Sequence, residues 1–306
     1  MTALRRKIHT AMSILCYRSG LCTLPYAPLI STVGITTRCN ARCRFCASHG
    51  SGSTILRPCA RKHEDMPLRE FERILDTFPR RFDSLGLSDF GEPLIHPHFP
   101  EFARACWRRG VRYNITTNGQ HMTDEIIRAI HIYPPQEINW SLYATTQEAY
   151  EFIFPGGDVE KTKANLRRLL RTMAPRTVMR LRTIPIPALR GQAENIMKEF
   201  PNCQYDFDNW LDSWAGRVDV SHFDPEWKKH TARSAHCLQP WWHCWINSAG
   251  GIMTCNVLDE PIGHVDDGLM NVWNGNAYRE VRRNILAGKR VGRCAGCDYR
   301  NNMTGW

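Results

Sequence analysis

The chain has no apolar stretch approaching the length that a membrane-spanning helix requires. Its one early apolar run, Ala11 to Leu15, is brief and is flanked by His9 and Arg18, which argues against a secretory signal peptide. No block of five or six like charges exists. The net charge of +10 is dispersed over short runs such as Arg5-Arg6-Lys7, Arg80-Arg81, Arg167-Arg168, Lys228-Lys229 and Arg282-Arg283. Runs of this kind are ordinarily solvated helix faces, so neither nucleic acid nor a membrane is expected as a partner. A local positive face is enough for an anionic cofactor or an anionic redox partner. A disulfide scaffold is also disfavoured, because the 13 cysteines are odd in number and the chain is long. At 306 residues, 42% hydrophobic and 23% charged, the composition suits one large domain and a small one.

From residue 31 the pattern alternates between strand-like and helix-like segments. Ser31–Thr37, Asp83–Ser88, Val111–Thr116, Glu137–Tyr143, Thr177–Ile184 and Cys203–Asp208 read as strands. Pro67–Phe78, Phe99–Arg109, Thr123–His131, Val159–Met173 and Gln192–Phe200 read as helices. Six strands alternating with helices over short connections predict parallel strands covered by helices. A closed eight-unit barrel needs about 250 residues. Fewer are available here, so the expected class is α/β, a partial (β/α)6 TIM-like barrel.

The cysteines carry the chemistry. Cys39, Cys43 and Cys46 stand in one short loop with the spacing Cys-x3-Cys-x2-Cys, just after the first strand. Thiolates hold iron–sulfur clusters, usually four to a cluster. Three leave one iron open, whereas zinc favours closed four-ligand sites. Cys237, Cys255, Cys294 and Cys297 form a second set, Cys-x17-Cys and then Cys-x2-Cys. A hairpin with a small-residue turn is predicted from Trp245 to Cys255, and a helix from Asn271 to Leu286.

The three-cysteine loop, with Phe45 before its third cysteine, resembles the signature of the radical S-adenosylmethionine (SAM) superfamily. The resemblance implies that Cys39, Cys43 and Cys46 hold a [4Fe–4S] cluster whose open iron chelates SAM. Reduction would then release a 5′-deoxyadenosyl radical. Companion elements follow at the ends of successive strands. Phe90-Gly91-Glu92-Pro93 is similar to the family's Gly-Gly-Glu-Pro element, with Phe90 in place of the first glycine. Thr116-Thr117-Asn118-Gly119 is a frequent family sequence beside SAM. The family implies cofactor contacts for Phe45, Gly91, Glu92, Pro93, Thr117, Asn118, Ser141, and Arg180 or Arg182. The two arginines share one face of their strand, so alternation cannot choose between them.

The C-terminal set resembles a twitch domain, a shortened relative of the SPASM domain, in which four thiolates hold one auxiliary [4Fe–4S] cluster. The expected organisation is an N-terminal extension (1–30), a radical SAM partial barrel (31–210) and a small α+β cluster domain (211–306). A structural zinc would use the same four ligands, and Cys244 is an alternative to Cys237. Cys16, Cys22, Cys59, Cys106 and Cys203 are read as free thiols, with Cys106 and Cys203 in the core.

Related twitch enzymes oxidise an aminocyclitol alcohol to a ketone, and related epimerases return a hydrogen atom from a cysteine thiol. The auxiliary cluster fits the first reaction, an oxidoreductase. Cys244, in the segment Trp241-Trp242-His243-Cys244-Trp245, is the candidate hydrogen donor for the second, with a plain core thiol as the other reading. Asp206, Asp208, Trp210 and Asp212 pair carboxylates with indole and suit a cationic, ring-shaped ligand such as an aminoglycoside sugar. A stretch of some 30 residues before the barrel is short for a separate peptide-leader domain, so a small molecule is expected as substrate. The alternatives are a peptide modifier or a non-catalytic electron-transfer or cluster-carrier protein. An electron donor such as flavodoxin or ferredoxin, and a reducing cytoplasmic setting, are the further expectations.

Overall fold

The computed structural model describes residues 3–50, 64–78, 82–184, 186–207, 213–225, 237–258 and 260–297. Asp208, Trp210, Asp212 and Cys59 lie outside the described residues. A first helix, α1 (Ala3–Arg18), precedes β1 (Leu29–Val33), α2 (Leu68–Thr77), β2 (Phe82–Gly86), α3 (Phe99–Arg108), β3 (Tyr113–Thr117), α4 (Asp124–Ile132) and β4 (Glu137–Trp140). Next come α5 (Gln147–Ile153), α6 (Val159–Thr172), β5 (Val178–Thr183), α7 (Gln192–Glu199) and β6 (Gln204–Phe207). The C-terminal part holds α8 (Gln239–Trp242), β7 (His243–Ile246), β8 (Gly251–Met253), β9 (Gly263–His264), α9 (Leu269–Trp273) and α10 (Asn276–Leu286).

The strands form one open sheet in the order β6-β5-β4-β3-β2-β1-β7-β8-β9. β1 to β6 pair in parallel, each with its sequence neighbour. Helices run antiparallel to the strands in such units, which sets every strand's C-terminal end on one rim. The predicted C-terminal hairpin is present as β7–β8, but it is not a free-standing sheet. β7 pairs in parallel with β1 through Leu29↔His243 and Val33↔Ile246, so the cluster region extends the barrel sheet at its first strand. The predicted helix over 271–286 is two helices, broken at Asn274-Gly275, where Asn274 Nδ2 donates to the Leu24 carbonyl (2.9 Å).

The core lies between the sheet and its helices. α2 buries Phe71, Ile74 and Leu75, and α3 buries Phe99, Phe102 and Cys106 against Leu85, Ile115, Ile138 and Leu181. Start signals are local: Thr123 Oγ1 accepts from Ile126 N at the head of α4, and the Asp158 side chain accepts from Lys161 N at the head of α6. Strand alternation leaves polar residues on the other face. Along β5, Met179 and Leu181 join the core while Arg180 and Arg182 face away from it.

His96, after β2, is buried at 4% exposure with its ring edge-on to Phe102 (4.8 Å). Burial holds its pKa below the ordinary value of 6.5, with Asp65 opposing the shift. The folded protein therefore binds this proton less readily than the unfolded chain. The stability it contributes is complete above pH 6.5 and is lost as pH falls from there toward the folded pKa. His96→Phe is expected to flatten that acid limb by up to roughly 1.4 kcal/mol per pH unit. Denaturant midpoints measured between neutral and acidic pH check this; an unchanged limb would refute it.

Candidate active site

The site forms on the rim made by the C-terminal ends of the strands. Beyond β1, Gly34 N donates to the Ile246 carbonyl (2.9 Å), and Met66 N donates to the Ile35 carbonyl (2.8 Å). Asp65 then clamps the approach to the cysteine loop. It accepts from Thr36 Oγ1 (2.6 Å) and Arg38 Nε (2.9 Å), with Arg38 Nη2 on its other oxygen (2.6 Å). Burial opposes its charge, but these hydrogen bonds and the Arg38 cation hold its carboxyl below the usual range.

Within the loop, Cys46 N donates to the Cys43 carbonyl (2.9 Å), and Arg44 N donates to the Ile153 carbonyl (3.0 Å). The Ala41 N–H points at Cys39 Sγ (3.4 Å) and the His49 N–H at Cys46 Sγ (3.3 Å). Phe45 sets its edge on Tyr143 at 5.3 Å. Burial pushes the Cys39 thiol up to about 12, and the charges of Glu92 and Cys46 add to the shift. Cys43 is raised well above its ordinary value by burial and by Cys46 and Cys39. The three sulfurs thus lie within electrostatic reach of one another in a place where free thiolates are unstable. A metal that neutralises them reverses this, so the residues present fit a cluster site.

Gly91 and Glu92 join this loop to its neighbours. A Cβ at Gly91 would collide with the Thr36 carbonyl oxygen and lie 2.6 Å from that of Arg38, so only glycine allows the two loops to touch. Glu92 N donates to the Arg38 carbonyl (2.8 Å). The Glu92 carboxylate, 3% exposed, accepts from Leu94 N (3.1 Å), Thr117 Oγ1 (2.9 Å) and Asn118 N (2.7 Å). Burial raises its pKa to about 7 against these bonds. Asn118 Nδ2 in turn reaches Asn40 Oδ1 in the cysteine loop (2.8 Å). The loops after β1, β2 and β3 are therefore one hydrogen-bonded unit. Asn40, Arg38 and Asp65 belong to it although no pattern in the sequence singled them out.

Ser141 follows β4 and is buried, its N–H on the Thr117 carbonyl (2.8 Å). Arg180 pairs with Glu137 (2.9 Å), and Arg182 pairs with Asp206 (3.2 Å), one register step nearer the rim. The structure thus joins Arg182 and Asp206, which the sequence had assigned to different ligands. A cleft of about 350 Å³ opens at the ends of β5 and β6, lined by Thr183, Ile186, Leu189, Arg190, Glu194 and Phe207 among others. Its apolar wall belongs to the same cluster of side chains against which Cys39, Cys43 and Phe45 pack.

The second cysteine set also converges. Burial pushes Cys255 up to about 12, with Cys237, Cys294 and Cys297 adding to the shift, so these three lie within electrostatic reach of Cys255, although no three or more such side chains among the described residues are close enough together to hold a metal. The Val257 N–H is bonded to Cys255, and Arg290 donates to the Cys297 carbonyl (2.8 Å). Four thiols are the donor set that an auxiliary iron–sulfur cluster takes. Cys244 is not among them. It is fully buried in the main core beside Ile30 and Ile246, where burial raises it to about 12. Strand alternation along β7 turns its thiol toward the helices. Of the three readings open for Cys244, hydrogen donor, alternative ligand and core residue, its burial fits the core residue.

The segment before these cysteines spans the two sites. The Phe90 ring packs at a tilt, 5.5 Å between centroids, against that of Trp214, which with Ala215 adopts a left-handed backbone (φ 53° and 56°). A Cβ on Gly296, between Cys294 and Cys297, would meet the Ala215 carbonyl oxygen at 2.7 Å. Arg217, fully buried, donates to the Val257 carbonyl (2.8 Å). Phe90, a departure from the glycine of the family pattern, thereby gains a packing partner.

Comparison with known proteins agrees with this arrangement. Residues 33–199 match the Radical SAM superfamily. The chain belongs to that superfamily. Residues 237–298 match the SPASM iron–sulfur cluster-binding domain. These two domains imply SAM, a [4Fe–4S] cluster that binds it, and an auxiliary iron–sulfur cluster. A tungsten-containing aldehyde ferredoxin oxidoreductase cofactor-modifying protein from Pyrococcus furiosus is 33% identical over 99 residues, which span 31% of this chain and only a quarter (25%) of that relative. Among solved structures, Streptococcus suis SuiB bound to precursor peptide SuiA aligns with a TM-score of 0.67 at 13% identity, over 90% of this chain and 70% of SuiB. BtrN in complex with AdoMet and 2-DOIA aligns with a TM-score of 0.58 at 15% identity, over 91% of this chain and 95% of BtrN. At these identities the likeness is one of fold.

Proposed function

We propose that the protein is a radical SAM oxidoreductase that dehydrogenates a small polar substrate of the carbohydrate or aminocyclitol class, converting an alcohol to a ketone. When bound, the cluster and SAM supply a carbon radical that removes a hydrogen atom from the substrate. Cys39, Cys43 and Cys46 would hold that cluster. The Glu92–Thr117–Asn118 unit keeps their loop fixed against the rim. Cys237, Cys255, Cys294 and Cys297 would hold the auxiliary cluster, which suits an oxidation because it can accept an electron.

The observation that carries this reading over epimerisation is the burial of Cys244, which keeps that thiol from reaching a substrate radical to complete an inversion. The small-substrate reading is supported by the likeness in fold to BtrN, whose solved complex holds AdoMet and 2-DOIA. Arg182 and Asp206 place opposite charges beside the rim, which suits a hydroxylated or aminated ring. No helix among the described residues is long and apolar enough to cross a membrane, and a reducing cytoplasmic setting fits cluster chemistry.

The test is anaerobic turnover of reduced, reconstituted protein with SAM and a panel of aminocyclitols and aminoglycosides in D2O. A product lighter by two hydrogens supports dehydrogenation. An isomer with one deuterium supports epimerisation and refutes the proposal. Modification of a peptide alone would move the substrate class, and absence of 5′-deoxyadenosine would leave only a carrier. Cys244→Ala is expected to leave the product unchanged and to lower stability by about 1 kcal/mol. Mass spectrometry and a denaturation curve check both parts.

A further inference from the structure

The segment 281–297, running from the end of α10 into the auxiliary cysteines, contains Arg282, Arg283, Lys289, Arg290 and Arg293 and no acidic residue. Arg282 is buried and holds the fold together, donating to the carbonyls of Pro240 (2.8 Å), Cys22 (2.7 Å) and Trp273 (2.8 Å). The other cations are not in the core. Arg283 and Lys289 are exposed, and Arg290 and Arg293 are half-buried. Two apolar side chains stand among them, Leu286 at 37% and Val291 at 58% exposure. Cys294 and Cys297 are themselves only half-buried. Arg290 donates to the Cys297 carbonyl (2.8 Å). The patch therefore leads along the chain into the place where the auxiliary cysteines approach the surface, with Arg290 and Arg293 beside them.

Cations around a few exposed apolar groups make a face suited to transient electron-transfer complexes. Such complexes are small, and charge complementarity supplies their encounter rate and orientation. We propose that the face formed by Arg283, Leu286, Lys289, Val291 and Arg293 is the docking surface for a small acidic one-electron carrier protein. The inference rests on the dehydrogenase reading above. Beyond the hydrogen atom, oxidation of an alcohol carbon releases one proton and one electron. The proton goes to solvent and the electron goes to the carrier, whose flavin or iron centre is reduced by one. Placing the carrier over Cys294–Cys297 keeps the exit for that electron short.

The test uses oxidised flavodoxin as the acidic probe and the full, reconstituted chain. Binding is measured by calorimetry across a salt series, for the native protein and for Arg283→Glu/Lys289→Glu. Neither substituted residue is one of the proposed ligands. The expected result is a Kd that weakens with salt, and a double variant roughly tenfold weaker at low salt that converges with the native protein at high salt. Basic cytochrome c should show the opposite preference. Salt-independent binding, an unaffected double variant, or tighter binding of phosphatidylserine vesicles or duplex DNA than of flavodoxin would overturn the docking surface. Iron analysis of Cys39→Ala/Cys43→Ala/Cys46→Ala separates the two readings. Loss of all iron there refutes the auxiliary site itself, whereas retained iron with no salt-dependent binding refutes only the docking surface.

Discussion

Replacing Gly91 by alanine is expected to abolish 5′-deoxyadenosine formation while leaving the rest of the chain folded. The added Cβ would have to occupy the space of two backbone carbonyls, those of Thr36 and Arg38. Neither is the end of a flexible side chain, so the strain cannot be relieved by a rotamer change. One of the two loops must move, and Arg38 immediately precedes Cys39. The same movement breaks the bond from Glu92 N to the Arg38 carbonyl, and with it the link through Glu92 to Thr117 and Asn118. A displacement of about 1 Å in a reacting constellation costs on the order of 100-fold in rate. Here the displaced group is the cluster loop itself, so the loss should be at least that large. Iron content, cleavage of SAM and far-ultraviolet circular dichroism measured together discriminate the outcomes. A variant that keeps its iron and cleaves SAM at the native rate would show that the loops do not need this contact.

The same region shows what the sequence could and could not reveal. The six parallel strands were legible because alternating and 3.6-residue periods are local, and each strand or helix writes its own. The cysteine spacings were legible for the same reason. The pairing of β7 with β1 was not, because it joins segments some 200 residues apart through backbone bonds that leave no side-chain signature. Cys244 stayed open between donor, ligand and core residue because of its neighbours: three tryptophans and a histidine look like a binding site. In a strand only alternate residues share a face, and its own face is the core. Gly91-Glu92-Pro93 was found by resemblance, but its physical role needed the geometry. A carboxylate with three internal donors is a staple between loops, and the residues tied in beside it, Arg38 through the Glu92 N–H and Asn40 through Asn118, are ordinary loop residues in any sequence view. The paired Arg182 and Asp206 were each singled out, yet their contact depends on the β5–β6 register.

Arg217→Met should remove the auxiliary cluster and spare the one that binds SAM. The arginine is fully buried, and it donates to the carbonyl of Val257, the residue whose N–H is bonded to Cys255. Next to it, Gly216 and Ala215 carry the turn that holds Cys294 and Cys297, since Gly296 packs directly on the Ala215 carbonyl. One side chain therefore braces the strand-end that presents Cys255 and anchors the segment against which the closing cysteine pair rests. Methionine fills a similar volume without donating, so the buried Val257 carbonyl loses its partner, a cost of about 1–3 kcal/mol. That cost falls on a loop whose thiols are already held protonated by burial, and cluster affinity depends on their being gathered and deprotonated. Iron should drop to the content of a single [4Fe–4S] cluster, SAM cleavage should persist, and oxidation of the substrate should stop. Arg217→Lys, which keeps a donor and a charge, should recover part of the iron. If Arg217→Met retains both clusters, the four thiols are organised by their own turns, and the bridge from Phe90 through Trp214 to Gly296 serves packing alone.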